Sequence, residues 1–284
     1  MNVCAVTGSN GYVGGAVKKF LSANGWEILE LIRRPHPAGR VLKFELGDAP
    51  APSQLSGVRA LIHCAYDFKP IRWNEIRNIN VAGTNKLLHA ARSAGVEKIL
   101  CISSISAYDG CRSLYGKAKL EIEQVALAHG AQIIRPGLVW GGESGGMFGK
   151  LKRQVEKSSL IPLLGDGSQL QYLVHHEDLC RFIQSHLDGI TAPLPPVLTA
   201  ANEQPWAFKD LLTAIARGQG KTLRFVPLPW RMLWLLLKMA EVCGLHPTFR
   251  SDSLVSLIYQ NPRPDFSPNA AAGLACRPFE IGKS

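Results

Sequence analysis

The chain has 284 residues, 46% of them hydrophobic, which is enough for one large core and a smaller second one, and 32 Lys plus Arg against 22 Asp plus Glu give a net charge of +10. Basic residues are scattered apart from Arg33-Arg34 and Lys150-Leu151-Lys152-Arg153, with no basic stripe and interleaved aromatics, so nucleic acid is disfavoured and an anionic small molecule preferred. Seven cysteines, an odd number without CxxC spacing and mostly inside apolar runs, argue against a disulfide framework or a zinc site, and with no leader-type N-terminus they point to a cytoplasmic protein.

Apolar β-branched runs predict strands over 2–7, 26–33, 41–45, 60–65, 98–103 and 132–135. Between them, apolar residues recurring at three and four predict helices over 14–23, 73–94 and 113–128. Strand and helix in alternation, with strands apolar along most of their length, indicate an α/β fold: a doubly wound parallel sheet of Rossmann type covered on both faces. After Pro136 the rhythm changes to a glycine-rich loop, GLVWGGESGGMFG, and helices separated by proline clusters at Pro193, Pro195, Pro196, Pro227 and Pro229. This divides the chain into a dinucleotide-binding domain over 1–140, to which 169–190 returns, and a substrate lobe over 141–284. The most apolar stretch, WRMLWLLLKMAEV at 230–242, is too short to span a bilayer. Its three charges share one side, so it is expected to be a helix buried in the lobe or at a subunit contact, with peripheral membrane contact as the alternative.

TGSNGYVGG closes the first predicted strand, with Gly8, Gly11 and Gly14 spaced three and three and an apolar helix following at once. Glycine there permits a tight turn, lets backbone approach a pyrophosphate and lets helix pack on strand, while the helix N-terminus favours an anion. The second strand ends in LELIRRP, where Arg33 stands at the position an acid occupies when a ribose 2′-hydroxyl is read; NADP is preferred, with NAD as the alternative. Glu30 lies too early in the strand to reach the ribose. In SLYGKAKLE, Tyr115 and Lys119 lie four apart and share a helix face, whereas Lys117 faces away. His175-His176-Glu177-Asp178 has a metal-like look, but adjacent histidines point different ways, and Asp178 is expected to cap the following helix. No metal is predicted.

These blocks, with Ile62-His63-Cys64-Ala65, NVAGTNKLLHAA at 80–91, CISSISAY at 101–108 and IIRPGLVWG at 133–141, occur in the order seen in extended short-chain dehydrogenases/reductases. The chain resembles the NAD-dependent epimerase/dehydratase branch over about its first 190 residues. The resemblance implies cofactor contacts from Gly8, Asn10, Gly11, Tyr12, Gly14, Arg33 and Ala65, Asp48 at the adenine edge, Asn80 supporting the active-site helix, and a homodimer through the helices over 73–94 and 113–128. It implies Tyr115 as general acid/base, Lys119 on the nicotinamide ribose, and Ser104 on the reacting oxygen, with Ser103 as rival for that place.

Many members of this branch act on nucleotide-linked sugars, and the leading expectation is a nucleotide-sugar 4-ketoreductase or 4-epimerase of polysaccharide biosynthesis. Gln171 and Leu138 replace the Arg and Asn that such members often carry, which leaves Lys150, Lys152, Arg153, Arg217 and Arg224 to neutralise a phosphate. No carboxylate follows Ser104, so dehydration is disfavoured. The alternatives are a ketone reductase of hydroxysteroid-dehydrogenase type on an apolar substrate, favoured by Leu138 and 230–242, and a non-catalytic NADP-binding sensor.

Overall fold

A computed structural model describes residues 2–37, 39–142, 145–190, 194–245, 247 and 249–280; residues 143 and 144 of the glycine-rich loop, and Pro193, lie outside them. In the first half, β1 (Asn2–Thr7), α1 (Tyr12–Ala23), β2 (Trp26–Ile32), β3 (Arg40–Lys43) and β4 (Val58–His63) alternate as expected. Then come α2 (Trp73–Ile76), α3 (Gly83–Ser93), β5 (Lys98–Ile102), α4 (Leu114–Ala128) and β6 (Gln132–Pro136). In the second half lie β7 (Leu138–Trp140), α5 (Gly146–Lys157), β8 (Leu160–Leu164), β9 (Leu170–Gln171), β10 (Leu173–His175) and α6 (His176–Leu187). β11 (Val197–Ala200), β12 (Trp206–Ala207), α7 (Phe208–Gly218), β13 (Arg224–Leu228), α8 (Trp230–Val242) and α9 (Ser251–Ile258) complete the elements.

The central sheet has seven strands in the order β11-β6-β5-β4-β1-β2-β3, all parallel. Alternation along β1 explains its two covered faces: Cys4 and Val6 join Val17, Leu21 and Ile183 of α1 and α6, while Val3 and Ala5 join Leu87, Leu88 and Ile122 of α3 and α4. Successive strands run outward from β1 to β2 on one side and to β4 on the other, so a crevice opens beyond the carboxyl ends of β1 and β4. Besides α6, which packs on α1, the sheet takes β11 from the segment assigned to the lobe; this short strand after Pro195-Pro196 covers the outer edge of β6.

The helix over 73–94 forms without a break from Trp73 to Ser93, but Arg77–Ala82 within it widen into a π-type turn. That turn sits where the side chain of Asn80 leaves for the loop after β4, just before Gly83, at which a Cβ would stand 2.5 Å from the Gly47 nitrogen. Asp178 does not cap α6: the cap is His175, whose Nδ1 accepts from the Glu177 N–H, and Asp178 is buried against Arg277, with Nη2–Oδ1 at 2.6 Å. The rings of His175 and His176 lie 4.7 Å apart, not on opposite sides. Most tellingly, α8 buries its acid and exposes its apolar side. Glu241 is the buried residue of that helix, whereas Met232, Leu235, Leu236 and Met239 are each more than half exposed.

Candidate active site

One cavity of about 1460 Å³ runs from the glycine turn, past Tyr115, to α8 and α9. At its first end, Gly8 takes φ +67 beneath the backbone of Ala65, and the Gly11 N–H donates to the Gly8 carbonyl at 2.8 Å. A Cβ on Gly14 would stand 2.3 Å from the Gly8 oxygen, so α1 can begin this close to β1 only with glycine there. The N-terminus of α1 has no side-chain cap, and Gly11, Tyr12, Val13 and Gly14 face the cavity, which leaves its first N–H groups for an anion. That bare, uncapped turn fits a dinucleotide pyrophosphate. Asn10 and Ala65 line the same wall, and the Tyr12 hydroxyl donates to the Gly141 carbonyl at 2.5 Å, laying its ring over Gly145 and Gly146.

Arg33 and Arg34 stand exposed on the cavity wall at the end of β2. Glu30 is buried behind them, taking hydrogen bonds from Ser9 at 2.7 Å and from Lys18 at 3.0 Å. Burial alone would raise its pKa; the bonds from Ser9 and Lys18 outweigh that and leave it lowered, with the carboxylate already engaged. Asp48 does not reach the cavity: it is exposed, and Phe44, Glu45 and Leu46 form the wall at that point, because the chain turns away where the Asp48 N–H bonds the Glu45 carbonyl. Asn80 does not touch the cavity either. It is fully buried and exchanges two hydrogen bonds with the Asp67 backbone, at 2.7 and 3.1 Å, so it fastens the loop that carries Tyr66 and Phe68.

Tyr115 and Lys119, on α4, both line the cavity, while Lys117 is exposed. Ser113 caps that helix by accepting from the Gly116 N–H at 3.0 Å, which fixes where its first turn begins. The Lys119 ammonium donates to the Ile102 carbonyl at 2.8 Å and lies 5.9 Å from the Tyr115 ring centroid and 5.2 Å from that of Tyr66. Ser103 and Ser104 follow β5 and separate by partner. The Ser103 hydroxyl donates to buried Glu123, itself held by Arg135 at 2.6 and 2.9 Å, whereas the Ser104 oxygen accepts only a 3.2 Å local bond from the Ser106 N–H. Ser104 is therefore the serine whose proton is available at the cavity.

The C-terminal lobe contributes residues that no sequence motif signals. Asp252, on α9, accepts from the N–H groups of Leu114 at 2.7 Å and Tyr115 at 2.9 Å. Arg250 donates to the carbonyls of Phe68 and Pro70. It thereby holds a cluster in which Phe68 stacks on Tyr115 at 5.6 Å and Tyr66 meets that ring edge-on at 5.0 Å. Burial, with Tyr115 and Asp252 nearby, pushes the Tyr66 phenol well above its ordinary range, so this second tyrosine beside Lys119 stays protonated.

Beneath the cavity floor, buried His63 lies 2.9 Å from Thr7 Oγ1 through Nδ1 and 2.9 Å from Thr84 Oγ1 through Nε2. Thr84 donates onward to the Asn80 carbonyl, while Thr7 accepts from the N–H groups of Cys64 and Ala65, so the chain of bonds is complete with a neutral ring protonated at Nε2. Burial, reinforced by the charge of Lys119, pushes the His63 pKa down to about 3.

Beyond Tyr115 the walls mix apolar side chains, among them Leu138, Trp234, Phe249 and Val255, with polar ones such as Gln171, Ser253, Ser256 and Gln260. Lys150, Lys152, Arg153, Arg217 and Arg224, the cations expected at a phosphate, do not line the cavity. Besides Arg33, Arg34 and Lys119, the cavity is lined by Lys43, Lys69, Arg112, Lys238 and Arg250; Arg250 is engaged with backbone carbonyls, Lys238 lies 3.9 Å from Glu241, and Arg112 stacks 4.2 Å over the Tyr259 ring.

The sequence model described as the NAD dependent epimerase/dehydratase family matches residues 4–192. Over 244 residues the chain is 28% identical to the ceramide reductase of Caulobacter vibrioides, covering 80% of this chain and 74% of that one. It is 26% identical to a dTDP-4-dehydro-6-deoxy-D-allose reductase from a Streptomyces species, covering 85% and 90%. Among solved structures, MoeE5 in complex with UDP-glucose and NAD shares the fold with a TM-score of 0.67 at 22% identity, covering 91% of this chain and 97% of that one.

Proposed function

We propose that this chain, which belongs to the NAD dependent epimerase/dehydratase family and is an NAD(P)-dependent enzyme of the extended short-chain dehydrogenase/reductase type, interconverts a ketone and a secondary alcohol on an apolar, lipid-like substrate. The observation that carries the substrate class is the wall beyond Tyr115: Leu138, Trp234, Phe249 and Val255 line it, and the five cations expected to grip a diphosphate lie off it. The likeness to a ceramide reductase over 80% of the chain supports the same reading.

In this account a nicotinamide cofactor, when bound, supplies or takes up the hydride. The glycine turn and the N-terminus of α1 hold its pyrophosphate, and Arg33 and Arg34 take a 2′-phosphate, which makes NADP the preferred form because Glu30 is already bonded to Ser9 and Lys18. Tyr115 gives its phenolic proton to the substrate oxygen in reduction and removes it in oxidation. Ser104 donates a hydrogen bond to that oxygen, and the Lys119 ammonium lies 5.9 Å from the centroid of the Tyr115 ring. Tyr66 and Phe68 pack against the Tyr115 ring at the mouth of the site.

A second reading, reduction of a nucleotide-linked keto sugar, is favoured by the likeness to the allose reductase across most of both chains. Oxidation of NADPH separates the two. Turnover with long-chain 3-keto lipids or ketosteroids, and little with dTDP-4-keto sugars, supports the apolar reading; the opposite ranking replaces it with the second.

A further inference from the structure

Helix α8 presents to solvent what an amphipathic helix ordinarily buries. Met232, Leu235, Leu236 and Met239 stand at i, i+3, i+4 and i+7, and Val242 and Leu245, 73% and 63% exposed, continue the row. At ~100° per residue, Met232 to Val242 of this row cover an arc of about 120°, and Arg231 and Lys238 lie within about 40° of its edge. The orientation is enforced from within. Glu241 is buried on the opposite side, where Oε1 accepts from the Ser251 N–H at 2.8 Å and Oε2 from the Ser251 hydroxyl at 2.7 Å. Rolling the helix to hide the leucines would take that carboxylate from its donors.

We propose that this face docks on the anionic surface of a lipid bilayer, with α8 lying in the interfacial plane. At 13 residues the helix is about 20 Å long, too short to cross a bilayer but long enough to lie along it with its apolar stripe among the upper acyl chains. Charge selects this occupant over a second copy. Each chain carries +10, a charge that an anionic headgroup layer attracts and a second copy does not. Arg231 is exposed at the start of α8, where it meets headgroups, and its guanidinium lies 5.7 Å from the ring centroid of Trp230, a residue type that favours this interface. The same helix gives Trp234, Lys238 and Glu241 to the cavity wall, so docking sets one wall of the active-site cavity against the membrane.

The test is flotation of the full chain with vesicles, made without substrate so that its outcome is independent of the substrate assignment. The intact chain binds vesicles of phosphatidylcholine with about one third phosphatidylglycerol, and about tenfold more weakly to phosphatidylcholine alone or at high salt. Leu235→Glu with Met239→Glu, both outside the cavity, lowers binding by about tenfold or more while far-UV circular dichroism and NADPH fluorescence stay as in the parent. Failure of the intact chain to float with the anionic vesicles overturns the proposal, as does unchanged flotation of the double variant. A sedimenting dimer that the double variant turns into monomer overturns it in favour of a second copy.

Discussion

The carboxylate of Asp252 bonds the backbone N–H of Tyr115 at 2.9 Å and that of Leu114 at 2.7 Å, across 137 and 138 residues of sequence. Two of the unsatisfied N–H groups that open α4 are thereby closed by Asp252 of α9, which ties the position of the tyrosine to that helix. Asp252→Ala should therefore lower kcat about tenfold, with cofactor affinity nearly unchanged and a stability loss of about 1 kcal/mol, as for a lost helix cap. Asp252→Asn, which keeps one acceptor, should recover part of the rate. Steady-state kinetics with separate NADPH titrations check this; equal losses in rate and cofactor binding would point to a purely structural role.

The two serines after β5 should fail in different ways. Ser104→Ala should cost about 10²-fold in kcat with little change in melting temperature. Ser103→Ala takes a donor from buried Glu123 and should cost about 1–3 kcal/mol of stability, with smaller kinetic effects. Thermal melts run beside kinetics on both variants decide it, and the reversed pattern would move the catalytic role to Ser103.

Stability should fall in acid through His63. Its pKa is pushed down to about 3 in the folded chain by burial and then by Lys119, so the ring stays neutral there, while an unfolded histidine takes up a proton below about 6.5. The unfolded state thus binds the extra proton; stability from this group is complete above about pH 6.5 and is lost as pH falls toward 3, amounting to about 2 kcal/mol between pH 7 and 5. Denaturant titrations at several pH values should show this slope, and His63→Gln should be less stable at pH 7 but flatter. A parent whose stability does not change over that window would contradict the buried neutral ring.

Arg33 should set the cofactor preference. Arg33→Ala should weaken NADPH about tenfold or more and leave NADH within about twofold, since only the 2′-phosphate loses a charged partner. Fluorescence titration with both cofactors measures it, and equal weakening would remove Arg33 from that role.

Much of this was legible in the sequence because it rests on local spacing. Gly8, Gly11 and Gly14 answer to a turn within seven residues, and Tyr115 and Lys119 to one helical turn, so both survived folding as read. Asp48 and Asn80 were placed by resemblance, and the chain's own bonding moved them: Asp48 turns out to solvent, and Asn80 ties down the Asp67 loop. Asp252, Arg250 and the threonine pair around His63 carry no local signal, since their partners lie elsewhere in the sequence and only the fold brings them together. The stretch 230–242 read as a helix buried in the lobe or at a subunit contact because its leucines dominate any count; within the chain, the paired acid Glu241 decides which side faces in.

The central claim is that Tyr115 moves the proton in a hydride-transfer reaction. Single-turnover oxidation of bound NADPH by a 3-keto lipid in Tyr115→Phe tests it most directly. The account predicts cofactor fluorescence like that of the parent and a rate at least about 10²-fold lower; a variant that binds NADPH and reduces the ketone at the parent rate would contradict it.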